Sequence, residues 1–214
     1  MGFKAVIFDL DGVIVSTDEY HYRAWKKVAD EEAIYFDDKI NMRLRGVSRM
    51  ESLEIVLEKS QKQYSKKVKL LLAERKNSYY LDLIKSLTPD DILPGVIDLL
   101  SQLKENGIKI AIGSSSKNSP EILSHIGLGS YFDATVDGNN INNSKPHPEV
   151  FLKAAAALGL DPQDCIVVED AASGVAAALA AGMQVIGVGS AATDKDADYT
   201  AESLEGFNMD LIVK

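Results

Sequence analysis

Cysteine, long apolar runs and positive charge are all scarce in this chain. A single cysteine, Cys165, rules out a disulfide within the chain and gives no support for an oxidising compartment. It sits in an apolar run of strand character, so a buried structural thiol is expected rather than a nucleophile. No stretch approaches the roughly 18 consecutive apolar residues a spanning helix needs, and no secretory leader pattern is present. The expectation is a soluble, cytoplasmic protein with no membrane partner. Lys plus Arg number 23 against 32 Asp plus Glu, a net charge of -9, which argues against nucleic acid as a partner. An anionic small molecule is not excluded, because local cations or a metal decide that question. Internal repeats and low-complexity segments are also missing.

What is present is ample apolar material: 46% of 214 residues, enough for a substantial core and a small second domain. From about residue 92 onward, short Ile- and Val-rich runs at 108–114, 134–137, 165–170 and 184–189 alternate with helical patterns at 95–106, 120–126, 148–158 and 171–181. Gly107, Gly127, Gly159 and Gly182 stand where helices end. This rhythm predicts a parallel sheet wrapped by helices, with ligands at the carboxyl ends of its strands. Residues 16–91 lack strand patterns and read as charged amphipathic helices. Capping boxes at Ser16-Thr17-Asp18-Glu19 and Ser48-Arg49-Met50-Glu51 mark two helix starts, and a long helix is expected over 65–87. The fold class is therefore α/β: a Rossmann-like parallel-sheet core, residues 1–15 and 92–214, with an inserted α-helical cap domain, residues 16–91.

Four segments carry chemistry. Ala5-Val6-Ile7-Phe8-Asp9-Leu10-Asp11-Gly12 ends an apolar strand in two acids at i and i+2, which strand geometry puts on one face about 7 Å apart. Asp and Gly are also ordinary turn residues, but two acids at a buried strand end are costly without a metal or charge partner. Ser114, Ser115, Ser116 and Asn118 lie where a strand opens into a helix, a place suited to phosphate as well as to plain helix capping. Lys145 follows Ser144 in a loop stiffened by Pro146 and Pro148; His147 reads as a surface group. Glu169 and Asp170 end another apolar strand in acids.

This ordered set resembles the haloacid dehalogenase superfamily of phosphoryl-transfer enzymes. The resemblance implies that Asp9 is the nucleophile that becomes an aspartyl phosphate and that Asp11 is the general acid/base. It implies that Ser114 and Lys145 hold the transferring phosphoryl group. Mg²⁺ would be bound by Asp170, with Glu169 nearby, the Asp9 carboxylate and the Asp11 backbone carbonyl. Oxygen donors suit that hard cation.

The cap segment narrows the resemblance to sugar-phosphate mutases within the superfamily. Thr17, Tyr20, His21, Ala24 and Trp25 fit the hinge and first cap helix of that branch, and Gly46-Val47-Ser48-Arg49 fits its substrate loop. Arg49 would bind the nontransferring phosphate at a helix start, where a guanidinium fork and N–H groups both favour an anion. Lys76, Ser116 and Asn118 would contact substrate, although a helical Lys is ordinarily solvated. His21 would couple cap closure to Asp11. Arg45 departs from the pattern, which has Lys before Gly-Val-Ser-Arg, and the two cations are not interchangeable. The implied reaction is interconversion of β-D-glucose 1-phosphate and glucose 6-phosphate by a Mg²⁺-dependent intramolecular phosphotransferase of the isomerase class. β-Glucose 1,6-bisphosphate would be both activator and intermediate, and the protein a monomer acting on a small sugar phosphate. A sugar-phosphate phosphatase needs the same core acids with less demanding cap recognition. A noncatalytic binding module would show a damaged Asp pair or metal site, and neither is damaged here.

Overall fold

The computed structural model describes residues 2–213. Six parallel strands form one sheet: β1 (Ala5–Phe8), β2 (Lys109–Gly113), β3 (Ala134–Val136), β4 (Cys165–Glu169), β5 (Gln184–Val188) and β6 (Tyr199–Ala201), in the order β3-β2-β1-β4-β5-β6. The order reverses at β1, which lies between β2 and β4, and such a switch point opens a crevice beyond the strand ends. Phe8 pairs with Val168, so the residues that follow, Asp9 and Glu169, emerge side by side.

Side chains alternate strictly across the sheet. Val6, Phe8, Ile110, Ile112, Ile166 and Val168 join the apolar cluster on one face; Ala5, Ile7, Ala111, Cys165 and Val167 join that on the other. Both faces are dry, which is why these strands read as continuous apolar runs. Cys165 is fully buried, and burial pushes its thiol up to about 11, as expected of a structural thiol.

Four α-helices follow β1 ahead of those that flank the sheet: α1 (Asp18–Glu31), α2 (Asp38–Met42), α3 (Arg49–Leu57) and α4 (Lys66–Ile84). They gather a third apolar cluster around Trp25, Leu53 and Leu72. Core helices α5 (Val96–Glu105), α6 (Ser119–His125), α7 (Glu149–Leu158) and α8 (Ala172–Ala180) flank the sheet, and α9 (Asp210–Val213) closes the described chain. Each of the four glycines expected to end helices has a positive φ, from 70° to 76°. Among the described residues no helix is long and apolar enough to cross a membrane.

Two expectations need correction, and one strand is additional to those expected. β6 was not foreseen, being a three-residue, partly exposed edge strand with no apolar run to announce it. β1 stops at Phe8, and Gly12 at φ +88° turns the chain, so Asp9 and Asp11 do not share a strand face. The capping box at 16–19 does not form: Thr17 is the N-cap of α1, but its side chain makes no capping hydrogen bond.

Candidate active site

The sheet crevice opens into a cavity of about 1080 Å³ between the strand ends and the α1–α4 helices. Besides Tyr20 and Ala24 on α1, the one cap residue singled out in the sequence that does not line it is Thr17. That residue is fully buried behind Asp11.

At the floor, Asp9, Glu169 and Asp170 bring carboxylate oxygens within 4.8 Å of one another. The Lys145 ammonium donates to Asp9 Oδ1 at 2.5 Å and to Glu169 Oε2 at 2.7 Å. It lies 4.8 Å from the centroid of the Phe151 ring on α7. Burial opposes the charge on Lys145, but the two carboxylates outweigh that and hold its pKa above the ordinary value. Asp170 behaves oppositely: burial, then the charges of Asp9 and Glu169, push it up to about 8. Three acids against one ammonium leave an excess negative charge that a divalent cation would offset, and all the donors are hard oxygens. Two glycines make room for this cluster. A Cβ on Gly12 would run into the Asp170 carboxylate, and one on Gly174 into that of Glu169.

Asp11 faces away from that cluster. Its Oδ1 accepts from the Thr17 backbone N–H and its Oδ2 from the Thr17 hydroxyl, both at 2.6 Å. His21 Nε2 lies 3.7 Å from Oδ2. Burial, then the charge of Asp18, raise Asp11 to about 7 despite the two Thr17 bonds. Thr17's hydroxyl is spent on this acid, which is why it caps nothing.

Lys76 is the largest surprise. It departs from the solvated default of a helical lysine: the residue is 2% exposed, and its Nζ lies 2.6 Å from His21 Nδ1. Burial and the neighbouring Arg49 charge hold its pKa well below the ordinary lysine value. An ammonium or amine that donates to Nδ1 leaves the imidazole hydrogen on Nε2, facing Asp11. The signal was available: Leu72, Ala73, Lys76, Tyr80 and Ile84 form one buried stripe along α4 at helical spacing.

Arg49 begins α3 behind a complete capping box, Ser48 Oγ accepting from Glu51 N and the Glu51 carboxylate accepting from Ser48 N. No ion pair to Arg49 is formed among the described residues, and burial lowers its pKa. Gly46, with φ +72°, and Val47 and Ser48 carry the chain past it along the cavity wall. Ser114 Oγ accepts from Ser116 N at 3.1 Å, and Ser115 Oγ accepts from Lys145 N at 3.4 Å. Asn118 is the N-cap of α6 but its side chain makes no capping hydrogen bond; its amide donates instead to Asn77 Oδ1 on α4 at 2.9 Å. Arg45 ion-pairs with Asp18 and donates to Ser190 Oγ beyond β5, two partners that a planar fork can serve at once. His147 is exposed on the loop.

The comparisons with known proteins agree with this geometry. A model of haloacid dehalogenase-like hydrolases matches residues 3–182. The chain is 44% identical over 211 residues to beta-phosphoglucomutase of Bacillus subtilis (strain 168), covering 98% of this chain and 93% of that protein. It is 33% identical over 186 residues to a phosphorylated carbohydrates phosphatase of Thermotoga maritima, covering 86% and 83%. A crystal structure of beta-phosphoglucomutase from Clostridium difficile matches with a TM-score of 0.93 and 44% identity, over 98% of this chain and 95% of that one. The strand-end acids, the buried lysine and these matches together make this chain an enzyme of the haloacid dehalogenase-like hydrolase family.

Proposed function

We propose that this enzyme interconverts β-D-glucose 1-phosphate and glucose 6-phosphate through a phosphorylated Asp9 and a β-glucose 1,6-bisphosphate intermediate. One observation carries the reading: cationic groups face a single cavity from both sides, Lys145 beside Asp9 on the floor and, on the helical wall, Lys76 with Arg49, which has no ion-pair partner among the described residues. A substrate with phosphate at one end in each half of the reaction, and at both ends between, needs two such places. Similarity to the two beta-phosphoglucomutases supports the same substrate.

In this mechanism an Asp9 carboxylate oxygen attacks phosphorus as the bond to the sugar oxygen breaks. Asp11, poised near neutrality, delivers a proton to that oxygen in one direction and takes one from the attacking sugar hydroxyl in the other. Lys145 offsets the negative charge that collects where anionic nucleophile meets anionic phosphate, and Ser114 helps hold the phosphoryl group. Mg²⁺, held by the Asp9 and Asp170 carboxylates and the Asp11 carbonyl, with Glu169 alongside, would supply further charge neutralisation there. Arg49 grips the nontransferring phosphate through its fork, with Gly46, Val47 and Ser48 shaping the wall. Ser115, Ser116, Asn118 and Lys76 meet the sugar, while Thr17 and His21 hold Asp11.

The bisphosphate has to turn end for end, so residues 16–91 act as a cap that opens over the core formed by 1–15 and 92–214. Arg45–Ser190 and Asn118–Asn77 are contacts that opening would break. The reading takes the protein to work as a monomer in the cytoplasm. The phosphatase relative favours a second reading, in which water takes the phosphoryl group from Asp9. Purified enzyme given α- or β-glucose 1-phosphate with Mg²⁺ and catalytic bisphosphate decides. Glucose 6-phosphate from the β anomer supports the mutase; preference for the α anomer, or predominant release of inorganic phosphate, overturns it.

A further inference from the structure

We propose that Tyr80 is a positioning residue that aligns Asp11 for proton transfer by acting through Thr17. The inference rests on the acid/base role given to Asp11 above. Tyr80 lies on α4 and is wholly buried, 63 positions along the chain from Thr17. Its phenolic hydroxyl donates to Thr17 Oγ1 at 3.0 Å, and Thr17 Oγ1 donates onward to Asp11 Oδ2 at 2.6 Å.

The direction of this chain is what matters. A threonine hydroxyl has one hydrogen and two lone pairs. With Tyr80 donating into one lone pair, the hydrogen of Thr17 is left for Asp11. Remove the Tyr80 hydroxyl, and the Thr17 rotor is held by Asp11 alone, free to turn and accept whenever that acid carries the proton. The same ring orders the other groups around Asp11. It packs against His21 with centroids 4.2 Å apart, and the Lys76 Nζ sits 4.5 Å from its centroid. One aromatic side chain therefore touches Thr17, His21 and Lys76, three groups gathered beside a single carboxylate. Because Tyr80 belongs to the helical insertion and Asp11 to the loop after β1, the alignment also depends on where α4 sits.

An ordinary buried tyrosine merely satisfying its hydroxyl would affect stability and leave the chemical step alone. The comparison is wild type, Tyr80→Phe, Thr17→Val and the double variant, with consumption of β-glucose 1-phosphate and both products followed at saturating Mg²⁺. For Tyr80→Phe the expected result is kcat down about tenfold with KM within about twofold, the loss of one aligning hydrogen bond at the chemical step. In the Thr17→Val background the same change should cost no further kcat, since the relay is already cut. Wild-type kcat in Tyr80→Phe, or a loss that multiplies with that of Thr17→Val, overturns the assignment. Wild-type enzyme that yields inorganic phosphate in place of glucose 6-phosphate refutes the mutase reading instead, and the same comparison on phosphate release still decides the role of Tyr80.

Discussion

Replacing Lys145 with methionine keeps the length of the side chain and removes its charge from a site holding the carboxylates of Asp9, Glu169 and Asp170. Each of its two ion pairs is closer than 2.8 Å, where a Coulomb term at an effective dielectric constant of ~20 amounts to about 6 kcal/mol. Much of that offsets the cost of burying the ammonium. The measurable loss on removing one partner of a buried pair is about 3–5 kcal/mol. The stranded acids limit the loss by taking up protons, which costs about 1.4 kcal/mol per pH unit above their pKa. The penalty in Lys145→Met should therefore be smaller at pH 6 than at pH 8.5. With a urea slope of about 2–3 kcal/mol/M, the unfolding midpoint in chelator at pH 8.5 should fall by roughly 1–2 M. Turnover should fall by at least about 10²–10³, the usual cost of losing a stabilising charge or donor at the reacting centre. A variant that unfolds at the wild-type urea concentration at pH 8.5 would show that the ammonium does not compensate these acids, and the reasoning would fail.

Arg49→Ala should raise KM for β-glucose 1-phosphate by about 10–100-fold, the worth of a charge-assisted fork on phosphate, and a steady-state KM within twofold of wild type would contradict the second phosphate site. Burial and neighbouring charges raise the pKa of Asp170 to about 8 and that of Glu169 in the same direction, so the metal-free folded state keeps protons that the unfolded chain has already released. The contribution of these two acids to stability in chelator is thus full below the unfolded carboxylate range and is lost as pH rises from about 4 to 8. Mg²⁺ should raise Tm more at pH 8 than at pH 5.5, by about 2.7 kcal/mol of stability at a hundredfold excess over Kd, and an equal or larger gain at pH 5.5 would be evidence against these acids as its ligands. Gly12→Ala combines a left-handed backbone with a Cβ aimed at the Asp170 carboxylate. It should cost about 1–3 kcal/mol in thermal unfolding together with a large loss of turnover; wild-type values for both would refute the claim that Gly12 makes room for Asp170.

Much of this was legible in the residues themselves because it depends on local pattern. The buried strands announce themselves as apolar runs, their terminal acids mark the crevice, and Ser48 with Glu51 spells a capping box that forms. What escaped depends on long-range competition. Ser16-Thr17-Asp18-Glu19 has capping spacing too, but the N-cap falls one residue later, on Thr17, whose hydroxyl Asp11 claims and Tyr80 arrives from another helix to share. Lys76 reads as a solvated charge by residue type, yet its place in the α4 stripe points it inward against Tyr80 and Trp25. Arg45 meets Ser190 across 145 positions, a contact no window of sequence contains. β6 completes the sheet edge with only three partly exposed residues, too short for periodicity to register.

The covalent claim has a direct test. Enzyme mixed with β-glucose 1,6-bisphosphate and Mg²⁺, quenched in acid and mapped by peptide mass spectrometry, should carry its phosphoryl group on the peptide containing Asp9, and that label should pass to glucose 6-phosphate when unlabelled β-glucose 1-phosphate is added before the quench. A phosphoryl group found on another residue, or an Asp9→Asn enzyme that still interconverts the two sugar phosphates, would contradict the account.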